Sequence, residues 1–333
     1  MSGQKIAVLG CGLWGRNIVR NFYNLNALGM VCDLDDENLA KVKEHYPDIK
    51  TTKDFKDIIN SKEITGVVVV TPSHTHYQFV KAMLEAGKHV YVEKPISTVA
   101  QEARNLTDLA ETKGLILMVG HLLLYHPAVN RLKMLAEDGE LGDIVYAQSD
   151  RLNINYFKND RSVMWDLAPH DVSMISYVLG KNPKRVISAT GCSSDGNDIM
   201  DITHIGIEME GGAVAHITDS WITPIKHVQL LVRGTKKTAI LDDTLQDHKL
   251  RIYDNFNAGN SEVVQLDYLE IEPLKLECQH FISCCETGKK ARSDGENGFI
   301  VVSILEEAEK IMLGDRTKNL DNVDFALSRS KKL

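Results

Sequence analysis

Short apolar runs recur along the first third of the chain, each followed by a stretch whose apolar positions return every three or four residues. Ile6-Ala7-Val8-Leu9 has the unbroken apolar run of a buried strand, and the spacing behind it predicts a helix from about Trp14 to Leu25. Met30-Val31-Cys32 predicts a second strand and Glu37 to His45 a second helix. Gly66-Val67-Val68-Val69-Val70 is β-branched on both faces, as a central parallel strand covered on both sides requires. Helices near Tyr77–Glu85 and Val99–Lys113, with strands at His89–Val92 and Leu115–Val119, complete the series. Strands alternating with helices over short connections imply right-handed βαβ units and a parallel sheet.

The texture changes after Gly120. A helix at about Ala128–Glu137 leads to a strand at Ile144–Ser149, an Asn- and Asp-rich loop, and a helix at about Leu167–Leu179. Strands then follow one another at Arg185–Thr190, Ile202–Met209, Ala213–Trp221, Val228–Arg233, Thr238–Leu241 and Arg251–Tyr253, and Glu210-Gly211-Gly212 reads as a hairpin turn. Two terminal helices, about Leu274–Glu286 and Gly298–Met312, close the pattern. The expected architecture is an α/β Rossmann domain over residues 1–122 and an α+β domain with a large, mainly antiparallel sheet over residues 123–333. Apolar residues at Ile205, Ile207 and Met209 beside Val228, Leu230 and Leu231 predict a second apolar face on that sheet. Such a face needs cover, so a homodimer or homotetramer is expected.

Composition narrows the function classes. A net charge of -8 without a Lys/Arg stripe speaks against a nucleic-acid partner. No apolar run reaches the roughly 20 residues of a membrane helix. The six cysteines lack a zinc spacing, and Met1–Lys5 does not resemble a signal peptide, so the cytoplasm is the expected compartment. The neighbours Cys284 and Cys285 are read as plain helix residues, because adjacent cysteines rarely fit disulfide geometry. His74 with His76, and His121 with His126, lack a Glu or Cys to complete a zinc set, so no metal is expected.

Three segments carry candidate chemistry. Gly10-Cys11-Gly12-Leu13-Trp14-Gly15 is a G-x-G-x-x-G sequence between a predicted strand and a predicted helix. In that setting Gly10 makes the tight turn, Gly12 lets the backbone approach a pyrophosphate and Gly15 lets helix and strand pack closely. Asp33, at the end of the second strand, is placed to accept from a ribose 2′-OH. It repels a 2′-phosphate, and Leu34-Asp35-Asp36 brings no Arg, so NAD is favoured over NADP. Glu93-Lys94-Pro95 follows a strand at the carboxyl edge of the sheet, where ligands of open α/β folds bind. In Trp165-Asp166-Leu167-Ala168-Pro169-His170-Asp171, Asp166 and His170 fall four apart on one helix face. Carboxylate beside imidazole suits a general base for alcohol oxidation, although a helix cap and a packed surface histidine would give the same spacing.

Taken with Thr71-Pro72-Ser73-His74-Thr75-His76 and the stretch from Pro273 to Gly314, these segments resemble the Gfo/Idh/MocA oxidoreductases over essentially the whole chain. The resemblance implies Lys94, Asp166 and His170 as the catalytic group and a cis Lys94–Pro95 bond. It also implies a cofactor lined by Gly10, Gly12, Leu13, Trp14, Gly15, Asp33, Thr71, Pro72, His76, Glu93, Lys94 and His121. Two stretches depart from the family pattern, Gly120–Pro127 and Arg151–Met164, and both are expected to face substrate. Tyr125, Arg151, Asn153, Arg161 and Trp165 are therefore candidate substrate residues beside Lys94 and His170, with Asn155 a further donor to sugar hydroxyls. The two arginines suit a diphosphate, because the guanidinium fork binds paired oxygens; either could instead pair with Asp150 or Asp160.

Gly-Leu-Trp-Gly-Arg-Asn and Met-Trp-Asp-Leu-Ala-Pro-His-Asp are similar to a nucleotide-sugar 3-dehydrogenase branch. The expected reaction is hydride transfer between NAD and a sugar hydroxyl, C3 of a UDP-N-acetylhexosamine or its uronate. The rival enzyme is a free polyol or aldose dehydrogenase of the inositol type. A non-catalytic NAD-binding regulator is the rival from another class, and the presence of both Lys94 and His170 favours an enzyme.

Overall fold

A computed structural model describes residues 5–154, 162–194, 199–255, 264–265 and 271–315. The first unit runs β1 (Ile6–Leu9), α1 (Gly15–Asn24), β2 (Leu28–Cys32), α2 (Asp36–His45), β3 (Lys50–Thr52), α3 (Lys56–Asn60), β4 (Gly66–Val69), α4 (His76–Glu85), β5 (His89–Glu93), α5 (Ala100–Lys113) and β6 (Leu117–Gly120). The six strands are all parallel, in the order β3-β2-β1-β4-β5-β6. That order reverses direction between β1 and β4, which opens a crevice above their carboxyl ends. The predicted strands and helices fall in place to within a few residues. β3 and α3 escaped notice because Lys50-Thr51-Thr52 is polar and forms the sheet edge.

The second unit runs α6 (Pro127–Glu137), β7 (Ile144–Ile154), α7 (Val163–Leu179), β8 (Pro183–Cys192), β9 (Ile202–Met209), β10 (Val214–Ser220), β11 (Ile222–Gly234), β12 (Lys237–Asp242), β13 (Leu250–Asp254) and β14 (Val264–Gln265), then α8 (Pro273–Thr287) and α9 (Gly295–Asp315). Among the described residues its eight strands order as β14-β13-β12-β11-β7-β10-β9-β8, antiparallel except for β10 against β7. α6, α7 and α9 pack on one face of this sheet. The last two helices return to the first unit: Phe281 of α8 meets Phe22 and Tyr91 edge-on, and α9 lies along α5.

The apolar residues singled out on the second sheet do not form a second face. Ile205, Ile207, Met209 and Leu230 are each 1% exposed and point into the core, since residues two apart share a face. The opposite face carries His204, His216, Tyr146, Gln148 and Leu231, so it is mostly polar.

Candidate active site

The glycine loop has the form its spacing predicts. Gly10 adopts φ +98°, and a Cβ there would lie 2.6 Å from the Val70 carbonyl oxygen. A Cβ on Gly15 would collide with the Gly10 carbonyl, whereas one on Gly12 would meet nothing within 4 Å. The first and third glycines are thus demanded by packing, and the second leaves backbone open to a ligand at the start of α1. This is a cradle that fits a pyrophosphate. Leu13 is 89% exposed beside it, and Trp14 is partly exposed with its indole donating to Glu93 Oε1 at 2.7 Å.

Asp33 takes up the end of β2. Its Oδ2 accepts from the Cys11 amide at 2.6 Å and its Oδ1 from the Asp35 amide at 2.9 Å. Burial opposes its charge, but these amide bonds outweigh burial and hold the carboxyl below its usual range. Arg16 approaches from α1, donating from Nη2 to Asn38 Oδ1 at 3.0 Å. A cation therefore lies in this neighbourhood that a reading of the residues after β2 could not find.

A cleft of about 510 Å³ opens where the two units meet. Its wall unites Trp14, Thr71, His76, Glu93, Lys94, Trp165, Asp166 and His170 from the expected set. It adds Ser73 and Leu122, from the Thr71–His76 and Gly120–Pro127 segments, and Trp221, which no motif marked and which arrives from the junction of β10 and β11. All three tryptophans of the chain thus line one cavity.

Lys94 follows β5, and its peptide bond to Pro95 is cis. Its ammonium crosses to α7, donating to the Asp166 carbonyl at 2.6 Å and to Asp166 Oδ1 at 3.1 Å. α7 starts at Val163, earlier than its apolar spacing predicts, so Asp166 lies in the first turn, where the helix dipole favours a carboxylate. His170 stands one turn on. His76 ties the Pro95 turn to the sheet, its Nδ1 2.7 Å from the Pro95 carbonyl and its Nε2 2.8 Å from that of Thr71. Burial raises the Glu93 carboxyl, against the opposing bond from Trp14.

Several expected residues stand elsewhere. His121 is 1% exposed, behind the wall, with Nδ1 2.6 Å from Asn297 Oδ1; burial pushes its imidazole down to about 4. Pro72 is exposed at the rim, its carbonyl capped by Thr75. Tyr125 is 2% exposed, and its hydroxyl meets Ser293 Oγ at 3.2 Å, away from the cleft. Arg151 pairs with Asp171 rather than Asp150 and is off the wall of the catalytic cleft: its Nε and Nη2 form a fork on buried Asp171 at 3.0 and 2.9 Å. Pairing of β7 with the back of α7 makes that contact, and it removes Arg151 from the candidate diphosphate donors. Asn153 lies on β7, off the cleft wall, while Asn155 and Arg161 lie outside the described residues.

Sequence comparison matches residues 4–121 to the model of an oxidoreductase family with an NAD-binding Rossmann fold. Residues 129–240 match that of the GFO/IDH/MocA C-terminal domain. The chain belongs to the GFO/IDH/MocA family. UDP-N-acetylglucosamine 3-dehydrogenase from Acidithiobacillus ferrooxidans is 26% identical over 66% of this chain and 68% of its own length. Its solved structure superposes with a TM-score of 0.83, 22% identity and coverage of 93% and 98%. The NAD(+)-dependent scyllo-inositol 2-dehydrogenase of Bacillus subtilis is 23% identical over 86% of this chain and 87% of its own. A levoglucosan dehydrogenase solved with NADH and levoglucosan superposes at TM-score 0.82 with 20% identity, covering 92% and 97% of the two chains. Family membership makes this GFO/IDH/MocA protein an oxidoreductase.

Proposed function

We propose that the protein oxidises a ring hydroxyl of a sugar with NAD, using Lys94, Asp166 and His170. The observation that carries this reading is the convergence of those three side chains on the wall of one cleft, next to the glycine loop. NAD supplies the hydride acceptor when bound, held by the loop of Gly10, Gly12 and Gly15 and by the Asp33 carboxylate. His170 takes the proton of the reacting hydroxyl. Lys94 donates a hydrogen bond to the same oxygen, and Asp166 holds the ammonium in place. The carboxylate of Asp33 supports NAD over NADP.

The C3 hydroxyl of a UDP-N-acetylhexosamine is the preferred substrate, on the likeness to UDP-N-acetylglucosamine 3-dehydrogenase in sequence and fold. A second reading, a free cyclic polyol, is favoured by the engagement of Arg151 with Asp171, which leaves a diphosphate fewer cations among the described residues. A thermal-shift panel separates them. Under the first reading UDP-sugars raise the melting temperature and free sugars and myo-inositol do not; the reverse pattern selects the second. The open polar face of the second sheet is read as the contact between copies in a homodimer or homotetramer, which light scattering tests.

A further inference from the structure

Behind the cleft wall lies a carboxylate that the reaction does not use. Glu277 of α8 is 1% exposed, and the Tyr91 hydroxyl is the polar group beside its oxygens. It faces the Tyr91 hydroxyl and the Glu93 carboxylate of β5, with Cys278 beside it on α8. Beyond Cys278 stand Arg20 and Glu272, which pair with each other. Tyr91 is wholly buried, its hydroxyl 3.4 Å from Glu93 Oε1. Glu93 also accepts from the Trp14 indole at 2.7 Å and the Lys94 amide at 3.3 Å, and its open side lines the cleft. A line of three side chains therefore runs from α8 through Tyr91 to the cavity.

A fully buried carboxyl beside a second carboxylate ionises only at a large cost. Glu93 has three donors and an adjacent ammonium, whereas Glu277 has only the Tyr91 hydroxyl beside it, so Glu93 takes the charge and Glu277 the proton. Burial, reinforced by Glu93, holds the Glu277 carboxyl well above the usual range, and burial raises that of Glu93.

We propose that the Glu93–Glu277 pair links cofactor binding to protons: it holds one proton in the free protein and yields part of it, through Glu93 and the open cleft, when an oxidised nicotinamide ring enters. The oxidised ring is a cation and the reduced ring is neutral, so the oxidised form draws the proton away and the reduced form does not. NAD⁺ then binds more tightly as pH rises, and NADH does not follow. This inference rests on the cofactor reading and is independent of which sugar reacts.

Titration calorimetry of the full chain with NAD⁺ and with NADH, in buffers of different ionisation enthalpy, counts the protons directly. The native protein is expected to release a measurable fraction of a proton per NAD⁺ bound. Its NAD⁺ affinity should rise with pH by up to about tenfold per unit, the limit for one linked proton. Glu277→Gln keeps the shape and is neutral at every pH, so it should remove that release and flatten the rise. Lys94, Asp166, His76 and His170 also face the cleft. Whatever they contribute persists in the variant, so the difference between the two proteins isolates the pair. The native fold must also keep a proton that the unfolded chain loses above about pH 4.3, so Glu277→Gln should gain stability over native as pH rises. If Glu277→Gln does not fold, the stability profile of Glu93→Gln reads the same pair. Equal proton release and equal pH profiles in native and variant overturn the inference. Failure of both nicotinamide forms to bind overturns the cofactor reading instead.

Discussion

Lys94 and Asp166 stand 72 residues apart in the chain, yet the lysine Nζ lies 2.6 Å from the Asp166 carbonyl oxygen and 3.1 Å from Oδ1. This double contact joins the end of β5 to the first turn of α7, so one ion pair both closes the cleft and aims its ammonium. The lysine and aspartate side chains are 18% and 17% exposed, a setting where such a pair outweighs a surface bridge. Lys94→Ala should cost on the order of 10²-fold or more in kcat, with NAD affinity kept within a few-fold. Asp166→Asn, which keeps the carbonyl contact, should cost less. Steady-state kinetics with cofactor titration check both, and an Asp166→Asn loss exceeding that of Lys94→Ala would contradict this division of roles.

Asp33 predicts cofactor choice. Its carboxylate is anchored by two backbone amides, so it cannot easily turn away from a 2′-phosphate. NAD should bind at least about tenfold more tightly than NADP, near 1.4 kcal/mol. Asp33→Ser should narrow the gap, helped by the nearby Arg16. Equal affinities in the native protein would show that Asp33 does not select.

The buried histidine behind the wall makes a pH prediction. His121 is neutral in the fold and titrates only at about 4, while in the unfolded chain it takes a proton near its ordinary value. The unfolded state thus binds more protons between about pH 6.5 and 4, and stability falls as pH drops through that window, by roughly 3 kcal/mol in full. His121→Asn removes this contribution. Urea denaturation at several pH values should show the native protein losing ground to the variant on acidification, and parallel curves would refute the assignment.

Arg151 is predicted to be structural. Its fork on Asp171, which also accepts from Ser149 at 2.6 Å, is enclosed between β7 and α7. Arg151→Ala leaves a buried carboxylate without its partner and should destabilise the fold by about 3–5 kcal/mol. Chemical denaturation reads this. A variant of native stability with a raised KM for a UDP-sugar would restore the arginine to substrate binding.

The legibility of the chain follows from where each signal is written. Gly66–Val70 and the glycine loop could be read because local sequence carries both the strand and the turn. Asp166 and His170 were legible as a pair because helix periodicity is local. The carboxylate that Arg151 pairs with is not legible, because it comes from the packing of β7 against α7, twenty residues on. His121 with Asn297 and Glu93 with Glu277 depend on α8 and α9 coming back to the first unit, and no spacing records that return. Seven strands of the second sheet are legible and the two-residue β14 is not, and the sheet's faces are hard to tell apart because Leu230 and Leu231 are neighbours in sequence and opposites in space.

In the proposed reaction His170 accepts the proton of a sugar hydroxyl while Lys94 holds its oxygen. Single-turnover formation of NADH, followed by absorbance with a saturating sugar substrate, compares native protein with His170→Ala most directly. The variant is expected to fall by about 10²–10⁴-fold, with NAD affinity unchanged and partial recovery as pH is raised. An equal rate in the two proteins would contradict it.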